Sequence, residues 1–144
     1  MIPNPPSALI VDDEPLARSR LQALCERTGL FSQLALAKGG REAIEKIGRM
    51  KPDILLLDVD MPDLSGLKVA EYCEGLTKEP EIIFTTAHNK YAVEAFRVEA
   101  TDYLLKPVKE ALLREAVNRA VANIAGKVRG HQEQGSEHLW VQDG

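Results

Sequence analysis

Five short runs, Ala8 to Asp12, Gln33 to Ala37, Asp53 to Leu57, Glu81 to Thr85 and Asp102 to Leu105, read as strands, and the stretches between them place apolar residues at helical spacing. Strands that alternate with helices predict a parallel sheet with helices on both faces, since each parallel pair needs a crossover connection. Ala8-Leu9-Ile10-Val11 and Ile54-Leu55-Leu56-Leu57 are apolar without a break, as strands covered on both faces are. Gln33-Leu34-Ala35-Leu36-Ala37 is the least hydrophobic run and opens with polar/apolar alternation, which suits an edge. The first helix should open near Pro15, bury Leu21, Leu24 and Cys25 with Ala17, and stop at Gly29. A last helix from about Lys109 carries Leu112, Leu113, Ala116, Val117, Ala120, Val121 and Ile124 on one face, wide enough to cover the sheet and part of a partner. Beyond Gly126 the composition turns to Gly, Gln, Glu, His and Lys, so 126–144 reads as a linker.

The chemistry sits where these runs end. Asp12 and Asp13 follow the first run and Asp58 follows the third, so parallel strands would deliver all three acids to the carboxyl edge of one sheet, where open α/β proteins build their sites. One aspartate at a strand end is an ordinary cap or turn former. Three together repel, and they either take up protons or hold a hard cation; magnesium favours one or two carboxylates plus water and a phosphate. The fourth run ends in Thr85 and Thr86, and the fifth leads into Lys106-Pro107, which adds a hydroxyl and an ammonium to the same edge. Metal, lysine and hydroxyl are the means by which phosphoryl transfer is positioned and neutralised. Aspartate can be the covalent acceptor. Asp58 stands alone after the central run while Asp12 and Asp13 form a pair suited to metal, so Asp58 is the expected acceptor.

Leu-Ile-Val-Asp-Asp-Glu-Pro (Leu9 to Pro15), Leu-Leu-Leu-Asp-Val-Asp-Met-Pro-Asp-Leu-Ser-Gly (Leu55 to Gly66), Thr86-Ala87 and Tyr103-Leu104-Leu105-Lys106-Pro107, in this order and spacing, resemble the receiver domain of two-component response regulators. The resemblance covers 8–125 and implies a flavodoxin-like, doubly wound, five-stranded parallel sheet of order 2-1-3-4-5. It implies Asp58 as phosphoacceptor, Asp12 and Asp13 as the acidic pair with Asp13 a direct magnesium ligand, and the carbonyl of Asp60 completing the metal shell. Thr86 would be the switch hydroxyl, Tyr103 the switch aromatic and Lys106 the phosphate-contacting base, with a cis Lys106-Pro107 bond. The implied partners are a sensor histidine kinase and, on activation, a second copy of the chain; Tyr91, Arg97 and Glu110 are candidates for that dimer face. Leu9 to Arg18, Phe84 to Phe96 and Asp102 to Val108 look like receivers that carry a LytTR-type (LytR/AlgR-like) DNA-binding domain. The tail His138 to Gly144 fits the first strand of such a domain cut short, so DNA contact is expected only through an output domain missing from this chain. Asp60, two residues after the acceptor, is expected to point to solvent and to alter the acyl-phosphate lifetime.

Bulk properties narrow the rest. At 144 residues the chain makes one domain, and a net charge of -4 argues against this segment gripping a nucleic-acid backbone. No apolar run approaches the roughly 20 residues of a membrane helix. Met1 to Ser7 lacks the basic flank and apolar stretch of a signal peptide, so the expected location is cytoplasmic. Cys25 and Cys73 lack metal or redox spacing and read as buried thiols. His88, which follows Thr86-Ala87, is expected to face solvent. The chief rival is a haloacid-dehalogenase-type phosphohydrolase using Asp58 and Asp60 as its Asp-x-Asp. That motif normally closes the first strand, whereas here it closes the third, with Pro62 where a threonine or valine should stand. Neither Gly-x-x-x-x-Gly-Lys nor Gly-x-Gly-x-x-Gly is present for a nucleotide enzyme. A binding module that keeps the fold without phosphorylation is disfavoured by the intact acids, Thr86 and Lys106. The chain is therefore expected to be no enzyme beyond its own phosphorylation and dephosphorylation.

Overall fold

A computed structural model describes residues 4–88 and 99–137, with side chains to residue 127. Five strands, β1 (Ser7–Val11), β2 (Gln33–Ala37), β3 (Ile54–Asp58), β4 (Glu81–Thr86) and β5 (Asp102–Leu105), form one parallel sheet in the order β2-β1-β3-β4-β5. The helices are α1 (Pro15–Thr28), α2 (Gly40–Met50), α3 (Gly66–Cys73) and α4 (Glu110–Glu137). The order is the expected one, with the least hydrophobic strand at an edge. β1 and β3 begin one residue from where the apolar runs suggest, and β4 continues through Thr86. Pro15 opens α1, and Gly29, in the left-handed region at φ 67°, closes it.

Side chains alternate across the pleat and divide the core into two layers. Leu9, Val11, Leu55, Leu57 and Phe84 meet Ala43 and Ile47 of α2 and Val69, Ala70 and Cys73 of α3. On the other face Ala8, Ile10, Ile54, Leu56, Ile83 and Leu104 meet Leu21, Leu24 and Cys25 of α1 and Leu113, Ala116, Val117 and Ala120 of α4. Every apolar residue in β1, β3 and the middle of β4 is buried, so the strand positions are fixed on both sides. Both cysteines lie inside, and burial pushes each thiol up to about 12, as inert structural thiols require.

Helix α4 departs from expectation twice. Leu112 is 46% exposed, and Val121 and Ile124 are only half-buried. A helix lying on a sheet buries a stripe spaced three and four residues apart, and 113, 116, 117 and 120 fill it; Leu112 sits one helical step off that stripe. The segment read as linker beyond Gly126 continues as helix to Glu137. No described helix is long and apolar enough to cross a membrane.

A buried acid holds this longer helix to the far end of the sheet. Glu81, 6% exposed at the start of β4, accepts hydrogen bonds from Thr101 Oγ1 (2.6 Å), Asn123 Nδ2 (2.8 Å) and Lys127 Nζ (2.8 Å). Burial alone would raise its pKa, but the bonds from Lys127, Thr101 and Asn123 outweigh that and leave it below the usual glutamate range. A depressed pKa means stability that is present above about pH 4.3, where a free glutamate titrates, and lost as pH falls through and below that value. Urea unfolding should show Glu81→Gln less stable than the parent by on the order of 2 kcal/mol at neutral pH. That gap should close as pH drops below about 4. A gap independent of pH would remove the carboxylate from this role.

Candidate functional site

The register of the sheet decides which side chains meet. Val11 is level with Leu57, Asp58 with Thr85, and Thr86 with Leu105, so Asp12, Asp13, Asp58, Thr86 and Lys106 all emerge at one carboxyl edge. Asp12, Asp13 and Asp58 each bring a carboxylate oxygen within 4.8 Å of the others. Lys106 Nζ lies 2.7 Å from Asp12 Oδ2 and 3.2 Å from Asp58 Oδ1. The Lys106-Pro107 bond is cis, as expected. Asp12 also folds its own loop: Oδ1 accepts the Glu14 amide at 2.9 Å, and its carbonyl accepts Arg18 Nη1 at 2.8 Å. Arg18 was not singled out in the sequence.

Asp12 and Asp58 are 1% and 3% exposed, so the repulsion between them is poorly screened. Burial first, and then the charge of Asp12, raise Asp58 to about 7 against the pull of Lys106. Lys106 is pushed down by its own burial, but Asp12 and Asp58 more than offset this and hold it above its usual range. Among the described residues the Lys106 ammonium lies between the two nearly buried acids, with Asp13 beside them. The cluster is short of positive charge, and its oxygen donors suit a hard divalent cation.

The loop after β3 is shaped by Gly66, whose added Cβ would lie 2.2 Å from the Asp58 carbonyl oxygen. Only a bare α-carbon lets the chain return so close to the acceptor backbone. The Gly66 amide donates to the Val59 carbonyl at 2.9 Å, and Ser65 caps α3 by accepting the Leu67 amide at 3.1 Å. Within this loop the Asp60 side chain is 47% exposed, as expected, and its Oδ2 stands 3.6 Å from His88 Nε2. Asp60 is outside the carboxylate cluster among the described residues, which does not favour the phosphohydrolase alternative.

The two threonines separate. Thr86 is fully buried and its Oγ1 accepts the His88 amide at 3.1 Å. Thr85 Oγ1 is buried and meets no hydrogen-bond partner among the described residues. Tyr103 packs its ring against the α2/α3 layer and donates its hydroxyl to the His88 carbonyl. His88, exposed as expected, therefore ties Thr86 to Tyr103 through its backbone. Glu110 bridges Arg27 of α1 (3.2 Å) and Arg114 (3.1 Å) within the chain. Tyr91 and Arg97 lie outside the described residues.

Comparison with known proteins places this geometry. The family model for the response regulator receiver domain matches residues 8–118. The chain is 42% identical over 112 residues to the sensory transduction protein LytR of Staphylococcus epidermidis, covering 78% of this chain and 44% of that protein. It is 47% identical over 115 residues to the positive alginate biosynthesis regulatory protein of Pseudomonas aeruginosa, covering 79% and 46%. It thus spans about half the length of these relatives. Among solved structures, the receiver domain of AraT, a response regulator from Geobacillus stearothermophilus, superposes with a TM-score of 0.76 at 30% identity, covering 85% of this chain and 98% of that one. A putative response regulator from Chloroflexus aurantiacus does so at 0.76 and 26%, covering 83% and 99%. With the strand order, the acidic cluster and the lysine all in place, the chain belongs to the response regulator receiver domain family.

Proposed function

We propose that the chain is a phosphoacceptor switch in which Asp58 takes a phosphoryl group from the phosphohistidine of a sensor kinase, with Asp12, Asp13, Asp58 and the Asp60 carbonyl holding magnesium. One observation carries this reading: Lys106 bridges Asp12 and Asp58 while Asp13 completes a tight carboxylate cluster. The ion would offset the negative charge of the incoming phosphoryl oxygens and of the carboxylates around them. Asp58 Oδ attacks phosphorus, the P–N bond breaks, and its electron pair leaves with the donor imidazole. Lys106 moves from balancing two carboxylates to balancing the new phosphate. Thr86 donates its hydroxyl hydrogen to a phosphate oxygen, and in moving toward it shifts the contact its oxygen makes with the His88 amide.

That movement gives the switch a physical path. The His88 backbone bonds both Thr86 Oγ1 and the Tyr103 hydroxyl, so a shift of Thr86 changes what holds Tyr103. A second copy of the chain would then dock on the altered face, and a missing LytTR-type output domain would carry DNA contact and control of transcription. The relatives, a sensory transduction protein and an alginate biosynthesis regulatory protein, support this reading. A groove beside the acids, lined by Leu16, Leu24, Pro107 and Val108, offers the kinase an apolar seat next to Asp12 and Lys106. Regulation in the cytoplasm fits such a partner.

Incubation with acetyl phosphate and magnesium should label the parent with one phosphoryl group and leave Asp58→Ala unlabelled by intact mass. Labelling that persists in the variant would assign the acceptor elsewhere. Asp60→Asn should label normally but lose its phosphoryl group at a rate several-fold different from the parent, followed by the decay of the mass shift; equal decay would end a role for the Asp60 side chain. A third test needs no phosphodonor. Because folding raises Asp58 from 3.8 to about 7, the folded state keeps a proton that the unfolded state gives up, and stability falls as pH rises across that window. In EDTA at pH values above about 7, Asp58→Asn should therefore melt several degrees above the parent, with about 1 kcal/mol worth roughly 4 °C. The gap should shrink below about pH 4. Excess magnesium should raise the parent and narrow the difference. Equal melting temperatures in EDTA at high pH would mean the acids do not strain the fold.

A further inference from the structure

Helix α2 begins without a cap of its own. Its N-cap residue is Gly39, and the amides of Gly40 and Arg41 are satisfied from another part of the chain: Asp63 Oδ1 accepts Gly40 N–H and Oδ2 accepts Arg41 N–H, each at 3.0 Å. These two bonds, Arg41's first, hold the Asp63 carboxyl below its usual range. Asp63 belongs to the loop between β3 and α3, which also carries Asp60. The surfaces meet so closely that an added Cβ on Gly40 would lie 2.6 Å from Leu64 Cβ, and one on Gly39 would lie 3.0 Å from both Asp63 carboxylate oxygens. The base of the loop is tied separately: the Val59 amide donates to Thr85 at 3.1 Å, and the Gly66 amide and Ser65 hydroxyl donate to the Val59 carbonyl at 2.9 and 3.4 Å. Asp60 sits between these anchors, with its side chain half-exposed and Oδ2 3.6 Å from His88 Nε2.

We infer that Asp63 is a positioning residue for the cation site. By seating the tip of the loop on the bare N-terminus of α2, it fixes the direction of the Asp60 carbonyl toward the carboxylate cluster. Gly40 serves the same purpose, since a Cβ there would lie 2.6 Å from Leu64 Cβ and 2.7 Å from the Leu64 carbonyl oxygen and would lift the loop from its seat. This rests on the magnesium reading above. Groups that orient metal ligands from outside the coordination shell influence affinity by about tenfold or more.

Two roles must be separated, because the same carboxylate caps a helix and anchors a loop. Asp63→Ala removes both. Adding Gly39→Asp to that variant returns a cap to α2 from its own chain, at an extended residue (φ -177°) that accepts a side chain and in space that the alanine vacates. Magnesium titration calorimetry, urea unfolding and hydrogen exchange of the 59–65 amides would be measured on the parent, Asp63→Ala and Gly39→Asp/Asp63→Ala. The expected result is a roughly tenfold weaker magnesium affinity and faster loop exchange in both variants, with unfolding stability recovered only in the double one. If affinity and loop protection return with stability, Asp63 is a helix cap and nothing more. If Asp63→Ala binds magnesium like the parent, the positioning role falls while the metal reading stands. A parent that takes up no magnesium overturns both.

Discussion

Negative charge crowded where water cannot reach it governs this molecule. Asp12 and Asp58 are almost completely buried, Asp13 is beside them, and a single ammonium, that of Lys106, lies between the two buried acids. Burial first, and then the charge of Asp12, push Asp58 up to about 7. The fold tolerates this because the rest of the sheet is so heavily apolar. Both faces of β1 and β3 are sealed by helices, and the acids are confined to the last position of a strand or the residues just after one. The site is a local deficit carried by a large surplus elsewhere, as functional sites often are.

The contrast with Glu81 shows how far environment decides what a buried carboxylate does. Both are nearly inaccessible, yet Glu81 is surrounded by three donors and titrates below its usual range, while Asp58 has one cation shared with Asp12 and titrates far above it. Glu81 is complete and therefore structural: it pins α4 to β4 at the amino edge of the sheet. Asp58 is incomplete and therefore poised to gain from a cation or a phosphoryl group. The chain separates these functions along the strands, with stability at one edge and chemistry at the other.

Much of this was legible in the amino-acid order. Unbroken apolar runs marked the buried strands, the polar start of Gln33 to Ala37 marked an edge, and acids immediately after the first and third runs marked the site, because parallel strands must end on the same side. What remained hidden depended on contacts between segments far apart in the chain. Periodicity put Leu112 on the same face as Leu113, yet only the width of the contact with the sheet shows which of them is covered. Composition beyond Gly126 resembled a linker, whereas the backbone stays helical to Glu137, with Lys127 bonded to Glu81 just past that glycine. Asp63 caps a helix 22 residues away and Glu110 joins two helices. No local pattern encodes either contact, although a helix opening on two glycines signals that something else must satisfy its first amides.

Crowded charge also explains why a small chemical change at Asp58 can reach the surface. A phosphoryl group brings close to two negative charges into a corner already short of donors, so it must recruit new ones. The Thr86 hydroxyl oxygen accepts the His88 amide, and the carbonyl of the same residue holds the Tyr103 hydroxyl. Under the proposed switch, movement of Thr86 toward the phosphate would shift a bond made by the residue that also restrains the aromatic ring. The free energy available for the change is bounded by the difference in what the phosphate gains in the two arrangements. A short chain of hydrogen bonds through one backbone unit couples the two side chains, because displacing Thr86 Oγ1 would pull on the His88 backbone whose carbonyl holds the Tyr103 hydroxyl.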